Sequence, residues 1–170
     1  MADGTNYEMP LKRRRTGETD YGQRLELLKS GVPRAVVRVS NSHTRIQLVA
    51  YGDDGDETVA SGFSGELADF GWDGHTGNLS AAYLAGVLAG ARATASGVDR
   101  AVPDFGAETP EYGSRYYAAV EGLRDAGLDV PAAADVTPAE DRVAGDHLDT
   151  GDAAAVEEVK KTITEEYGES

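Results

Sequence analysis

The apolar positions of this chain change period near its middle. In the first part they fall at strand spacing, and Ala35 to Val39, Arg45 to Tyr51 and Thr58 to Phe63 read as three strands. Ser40-Asn41-Ser42-His43 separates the first two and Gly52-Asp53-Asp54-Gly55 the next, so the spacing predicts an antiparallel meander. Ahead of it Tyr21, Leu25 and Leu28 share a helical face, with Thr19 or Asp20 as cap, Gly31 as stop and Pro33 beyond. After the loop Gly71-Trp72-Asp73-Gly74-His75-Thr76-Gly77 the period becomes helical. Leu79, Ala82, Tyr83, Gly86, Val87 and Gly90 form one stripe, capped by Asn78. Ala101 to Phe105 reads as a short strand. Tyr116, Ala119, Val120 and Leu123 mark a second helix closed by Gly127, and Leu128 to Ala132 a last strand. This order predicts an α/β fold, a mixed sheet with helices on its faces. From Thr137 the chain is polar, with a helix over Ala153 to Tyr167. Residues 1–18 carry no apolar period and read as an arm ordered by a partner.

Composition modifies this picture in two ways. The hydrophobic share of 40% leans on alanine, which predicts close helix approach in place of large core side chains. Cysteine is absent, which excludes a disulfide framework, a thiolate metal site and a cysteine nucleophile, and agrees with a reducing cytosol. No apolar stretch of signal-peptide type opens the chain. Leu79 to Ala91 is too short to span a bilayer and runs into Arg92, so no membrane partner is expected.

Charge changes the picture most. The formal net charge is -14, yet Lys12-Arg13-Arg14-Arg15 interrupts the acid. Residues 1–50 hold nine Lys+Arg against five Asp+Glu; residues 51–170 hold seven against twenty-five. A basic head therefore sits on an acidic body, and the local field decides what a polyanion meets. The acids are scattered rather than gathered in a tail, and Arg outnumbers Lys twelve to four. Both features suit a surface adapted to concentrated salt.

Catalytic patterns are poor. His43, His75 and His147 stand far apart, without a ligand partner at i+3 or i+4. Asp53-Asp54-Gly55-Asp56-Glu57 lacks EF-hand spacing and reads as a polar hairpin turn. The loop at 71–77 has no phosphate-binding lysine; its backbone could hold an anion, and Asn78 could equally cap the helix there. Trp72 reads as a core plug. Two-metal nuclease chemistry needs converging carboxylates, whereas the first strand supplies arginines and Asp104 stands alone. We expect no enzyme, no cofactor, no metal and no small-molecule substrate.

The head instead suits folded RNA. Arg24 and Lys29 lie on the short helix, and Arg34, Arg38 and Arg45 on or beside the first two strands. Arg34 and Arg38 project from one face. Asn41, His43 and Gln47 add hydrogen-bonding groups, and Tyr7 and Tyr21 add rings. The five acids of this half are too few to pair its nine bases. The rival reading is a halophilic protein-interaction module whose basic arm is a disordered tail.

A set of short motifs sharpens the choice. Arg13-Arg14-Arg15, Thr19-Asp20-Tyr21, Arg24-Leu25, Leu27-Leu28, Ser30-Gly31, Pro33-Arg34 and Ser40-Asn41 with His43 occur in order. Gly77-Asn78, Ala81-Ala82-Tyr83-Leu84-Ala85-Gly86, Ala119 to Gly127 and Arg142 to His147 follow. Together they resemble the archaeal and eukaryotic-type large-subunit ribosomal protein family that binds 5S rRNA, the L-eighteen family, over nearly all the chain to Leu148. The acidic surface resembles that of a haloarchaeal member.

The resemblance implies a ribonuclease-H-like three-layer α/β/α core with a mixed sheet and no nuclease activity. A basic N-terminal arm and a helical C-terminal extension would flank it. The expected divisions are 1–31 for the arm and short helix, 32–131 for the rRNA-binding core and 132–170 for the polar extension. The implied function is binding 5S rRNA and helping attach it to 23S rRNA in the central protuberance of the cytoplasmic 50S subunit, beside neighbouring ribosomal proteins. The RNA-binding residues it implies are Lys12, Arg13, Arg14, Arg15, Tyr21, Arg24, Lys29, Arg34, Arg38, Asn41, His43 and Arg45. Glu18, Gly22 and Glu26 depart from the basic or polar residues usual there, which leaves the helix from Tyr21 one RNA-facing side. Ser42 and Thr44 replace bulkier or basic residues around His43, and Ala132-Ala133-Ala134-Asp135 departs from the usual polar sequence.

Overall fold

The computed structural model describes residues 8–133, 136–145 and 152–168. Tyr7, His147 and the end of the resemblance at Asp146 to Leu148 lie outside them. The basic run forms one helical turn, α1 (Lys12–Arg15), where the sequence suggested only an arm. Asp20 caps α2 (Tyr21–Lys29): its Oδ1 accepts from Gly22 N at 2.9 Å and Gln23 N at 3.0 Å. Gly31, at φ 70, turns the chain out of α2.

The meander follows as expected, with β1 (Arg34–Val39), β2 (Thr44–Ala50) and β3 (Glu57–Phe63) paired antiparallel. The expected strand at 101–105 is β4 (Val102–Asp104), parallel to β1. The sheet is therefore mixed, in the order β3-β2-β1-β4. The last expected strand is reduced to a single bridge between Arg100 and Asp129. Pro131 has no N–H to continue a ladder, so Leu128 and Val130 reach the core from an irregular segment.

Alternation decides the faces. Ala35, Val37, Ile46 and Leu48 are fully buried beneath α3 (Leu79–Ala95) and α4 (Arg115–Asp125). Asn78 Oδ1 accepts from Ala81 N at 2.7 Å and starts α3 as a structural cap. Glycine sets the approach between the layers. A Cβ at Gly62 would strike the backbone of Ala85 and Ala89, and one at Gly122 the carbonyl of Tyr83 and the Val87 nitrogen. The close packing read from alanine content is thus real, and it is made by backbone meeting backbone.

α3 departs from the single stripe expected of it, because Ser80 through Gly90 are all buried. Its far side is covered by the 3-10 segment Ser64–Phe70, by Trp72 as a core plug, by α5 (Glu140–Ala144) and by α6 (Asp152–Tyr167). α6 inserts Val156, Val159 and Ile163 there. On the opposite side of the sheet α2 lies over the Arg34 end, where Leu27, Gln23 and Arg24 share a small cleft with Arg34, Arg38 and Asp104. The result is a three-layer α/β/α arrangement with a C-terminal helix added. No helix of the described residues is long and apolar enough to cross a membrane.

Candidate nucleic-acid interface

The twelve basic, polar and aromatic candidates divide into three groups. Lys12, Arg13, Arg14 and Arg15 are all exposed on α1. Their one charge partner among the described residues is Glu18, 3.9 Å from Arg13, with both side chains mostly in solvent. Such a pair contributes little and leaves the guanidinium free to exchange partners. Arg14 lines an open cleft shared with Tyr21 at the start of α2 and with Gly106 to Thr109.

The second group is already engaged. Arg34 is only 6% exposed. Its Nη1 donates to Asp104 Oδ2 at 2.6 Å and its Nη2 to Asp56 Oδ2 at 2.7 Å. Arg24 donates to the same Asp56 oxygen at 2.6 Å, whereas Lys29 donates to Glu26 at 2.6 Å in an exposed pair that leaves its ammonium free to exchange partners. The expectation that this half has too few acids to pair its bases is therefore corrected. Asp56 and Asp104 come from the acidic half and reach the head through the fold. Arg34 faces carboxylates, not solvent. Asp104, the isolated acid of the sequence, is held by Arg34 and by Gly106 N at 2.8 Å.

The third group lies on the sheet face turned away from α3 and on the adjoining hairpin. Arg38, Arg45 and Phe63 form one row across β1, β2 and β3, since Arg38 pairs with Arg45 and Arg45 with Phe63 in register. Arg38 donates to the Asp104 carbonyl at 3.0 Å yet keeps its side chain 49% exposed. Arg45 is exposed and lies over the Phe63 ring, 5.0 Å from its centroid. His43 also packs against that ring, with 4.8 Å between centroids. Thr44, one of the departures around His43, is a fully buried position whose N–H donates to Ser64 Oγ at 3.0 Å.

The hairpin carrying Asn41 and His43 is held from outside. Thr76 Oγ1 donates to the Ser42 carbonyl at 2.7 Å, and Arg115 Nη1 bridges the carbonyls of Ser40 and Gly77 at 2.7 and 2.8 Å. Gly77 sits so close to the Asn41 carbonyl that no Cβ fits. The Gly-rich loop thus serves as a brace for the hairpin. Sequence reasoning missed Phe63 and Arg115. Strand alternation could have found Phe63, which stands two positions from Ser61 on the face of Arg45; nothing local marks Arg115.

The perturbed titrations of Tyr83, Asp125 and Lys160 lie on the helical side, away from this row, whereas the Tyr116 phenol, raised chiefly by burial, lies near Arg38. Burial pushes the Tyr83 phenol up, helped by its 2.6 Å hydrogen bond to Asp125. Burial would raise Asp125 too, but hydrogen bonds from Tyr83 and Lys160 outweigh it and hold the carboxyl below its ordinary range. These groups link α6 to α3 and α4. No cluster of three metal-ligating side chains exists among the described residues.

A family described as "Ribosomal large subunit proteins 60S L5, and 50S L18" matches residues 5–100, from the arm through α3 and beyond. The chain belongs to this family. It is 53% identical over 148 residues to the large ribosomal subunit protein uL18 of Halorubrum lacusprofundi, covering 87% of this chain and 80% of that protein. The uL18 of Haloarcula marismortui is 51% identical, with 87% and 79% covered, and that of Halobacterium salinarum 53%, with 87% and 81%. As a member of the large-subunit family the chain is a structural constituent of the cytoplasmic ribosome, not an enzyme, and its surroundings are rRNA and other ribosomal proteins.

Proposed function

We propose that the protein binds 5S rRNA and helps attach it to 23S rRNA in the central protuberance, with smaller contacts to neighbouring ribosomal proteins. The observation that carries this reading is the division of the arginines. Arg24 and Arg34 are held by Asp56 and Asp104, whereas Arg13, Arg14, Arg15 and Arg45 are exposed on the arm and sheet face and Arg38 keeps about half its side chain in solvent. Contact residues in this reading are Lys12, Arg13, Arg14, Arg15, Tyr21, Lys29, Arg38, Asn41, His43 and Arg45. Arg24 and Arg34 support the helix and strand that carry them. Residues 1–31 serve as the arm, 32–131 as the RNA-binding core and 132–170 as a polar extension.

A salt-adapted protein cannot rely on counterion release. Phosphate-driven binding falls with a log–log slope near ~0.9 per neutralised phosphate, and at about 1 M salt the screening length is only about 3 Å. Close bidentate contacts, hydrogen bonds and stacking must carry the affinity, which suits arginine over lysine. We expect Arg13→Ala/Arg14→Ala/Arg15→Ala to weaken 5S rRNA binding at least tenfold (~1.4 kcal/mol) even in molar KCl. Unchanged affinity in a filter-binding titration would remove the arm from the interface.

A further inference from the structure

Phe63 is not among the RNA-contact residues named above, yet several groups converge on it. It stands opposite Arg45 in the β2–β3 register, on the face turned away from α3. The Arg45 guanidinium carbon lies over the ring, 5.0 Å from its centroid. His43 flanks the ring at 4.8 Å, tilted by 43°. On a further side Gly65 has no side chain, and a Cβ there would come within 2.5 Å of the ring. The ring is thus contacted by His43 and closely approached by the Gly65 backbone, and a planar cation lies over it.

That cation is free of carboxylates. Arg45 makes no ion pair among the described residues, in contrast to Arg24 and Arg34. Its register neighbour Arg38 is anchored to the Asp104 carbonyl and keeps half its side chain in solvent. An arginine resting on an aromatic ring still offers its outer planar face, and a nucleobase stacks on such a face through π and cation–π attraction. Paired bases in an A-form helix hide their faces, so the fitting ligand is an unpaired base with its own flanking phosphate.

We propose that the Arg45–Phe63 pair is a stacking step for one unpaired base of the bound RNA, with Arg38 on the adjacent phosphate and Phe63 as the positioning residue beneath Arg45. The proposal rests on the reading that the protein binds 5S rRNA. It also fits concentrated salt, because stacking survives screening that abolishes long-range attraction.

The test is a filter-binding titration of transcribed 5S rRNA in molar KCl with wild type, Arg45→Lys, Phe63→Leu and the double variant. Arg45→Lys keeps the charge, lies at an exposed site and loses the plane, so it carries the test even if Phe63→Leu folds poorly. Stacking predicts that Arg45→Lys weakens binding about tenfold. Phe63→Leu weakens it by a similar factor, and the double variant is no worse than about one single change, because the two act as a unit. Phe63→Tyr, which keeps the ring, binds as wild type does. Wild-type affinity in Arg45→Lys overturns the stacking step and leaves 5S binding intact. A wild-type protein that fails to bind 5S rRNA overturns the underlying reading instead.

Discussion

Arg34→Ala leaves two carboxylates without their guanidinium, and the environment sets the cost. Asp104 is 6% exposed and loses its 2.6 Å partner, keeping the Gly106 N–H and a distant Arg38 at 3.9 Å. Removing one member of a buried pair costs roughly 3–5 kcal/mol, most of it the uncompensated charge left behind. Asp56 adds little to this, because its side chain is 26% exposed and Arg24 stays bonded to it. We therefore expect about 3 kcal/mol, which at 2–4 °C per kcal/mol for a domain of this size lowers the melting midpoint by roughly 6–12 °C. Differential scanning fluorimetry in molar KCl measures the shift, and urea denaturation at constant m-value confirms the free energy. Replacing both partners, as in Arg34→Met/Asp104→Leu, should recover at least half the loss, since an apolar pair leaves no stranded charge. A midpoint within about 2 °C of wild type in Arg34→Ala, with RNA affinity lost, would refute the reasoning. It would mean that Arg34 reaches RNA rather than holding the sheet to α2.

Gly122→Ala should destabilise by about 1–3 kcal/mol despite alanine's better helix propensity, because its Cβ meets the Tyr83 carbonyl and Val87 N; chemical denaturation measures it. Asp125, whose folded pKa is depressed, contributes stability above the ordinary carboxylate pKa of about 3.9 and loses it as pH falls through the lower folded value. Asp125→Asn should therefore lower stability at neutral pH and flatten the acid limb of the stability–pH profile. Above about pH 10 the Tyr83 phenol ionises more readily unfolded than folded, so wild type should lose stability there and Tyr83→Phe should lose less.

Local signals carried much of the fold. The meander, the Asn78 cap, the short helix at Tyr21 and the β4 strand each rest on neighbours within a few positions, and each formed where the spacing placed it. Non-local partners were the difficulty. Arg34 and Asp104 are seventy positions apart, so nothing near either residue announced their pairing. The α3 stripe understated its burial because α6, far along the chain, covers the other side. The last strand failed at Pro131, whose missing N–H outweighed the apolar run before it. For the interface, charge and strand alternation brought out Arg38 and Arg45, while the exposed candidates could be told from the paired ones only after folding.

Titration of radiolabelled 5S rRNA with the wild-type protein in molar KCl, against excess transfer RNA as competitor, is the most direct test. Saturable one-to-one binding that survives both the salt and the competitor is the result the account predicts. Binding abolished by molar KCl, or displaced equally well by the transfer RNA, would contradict it.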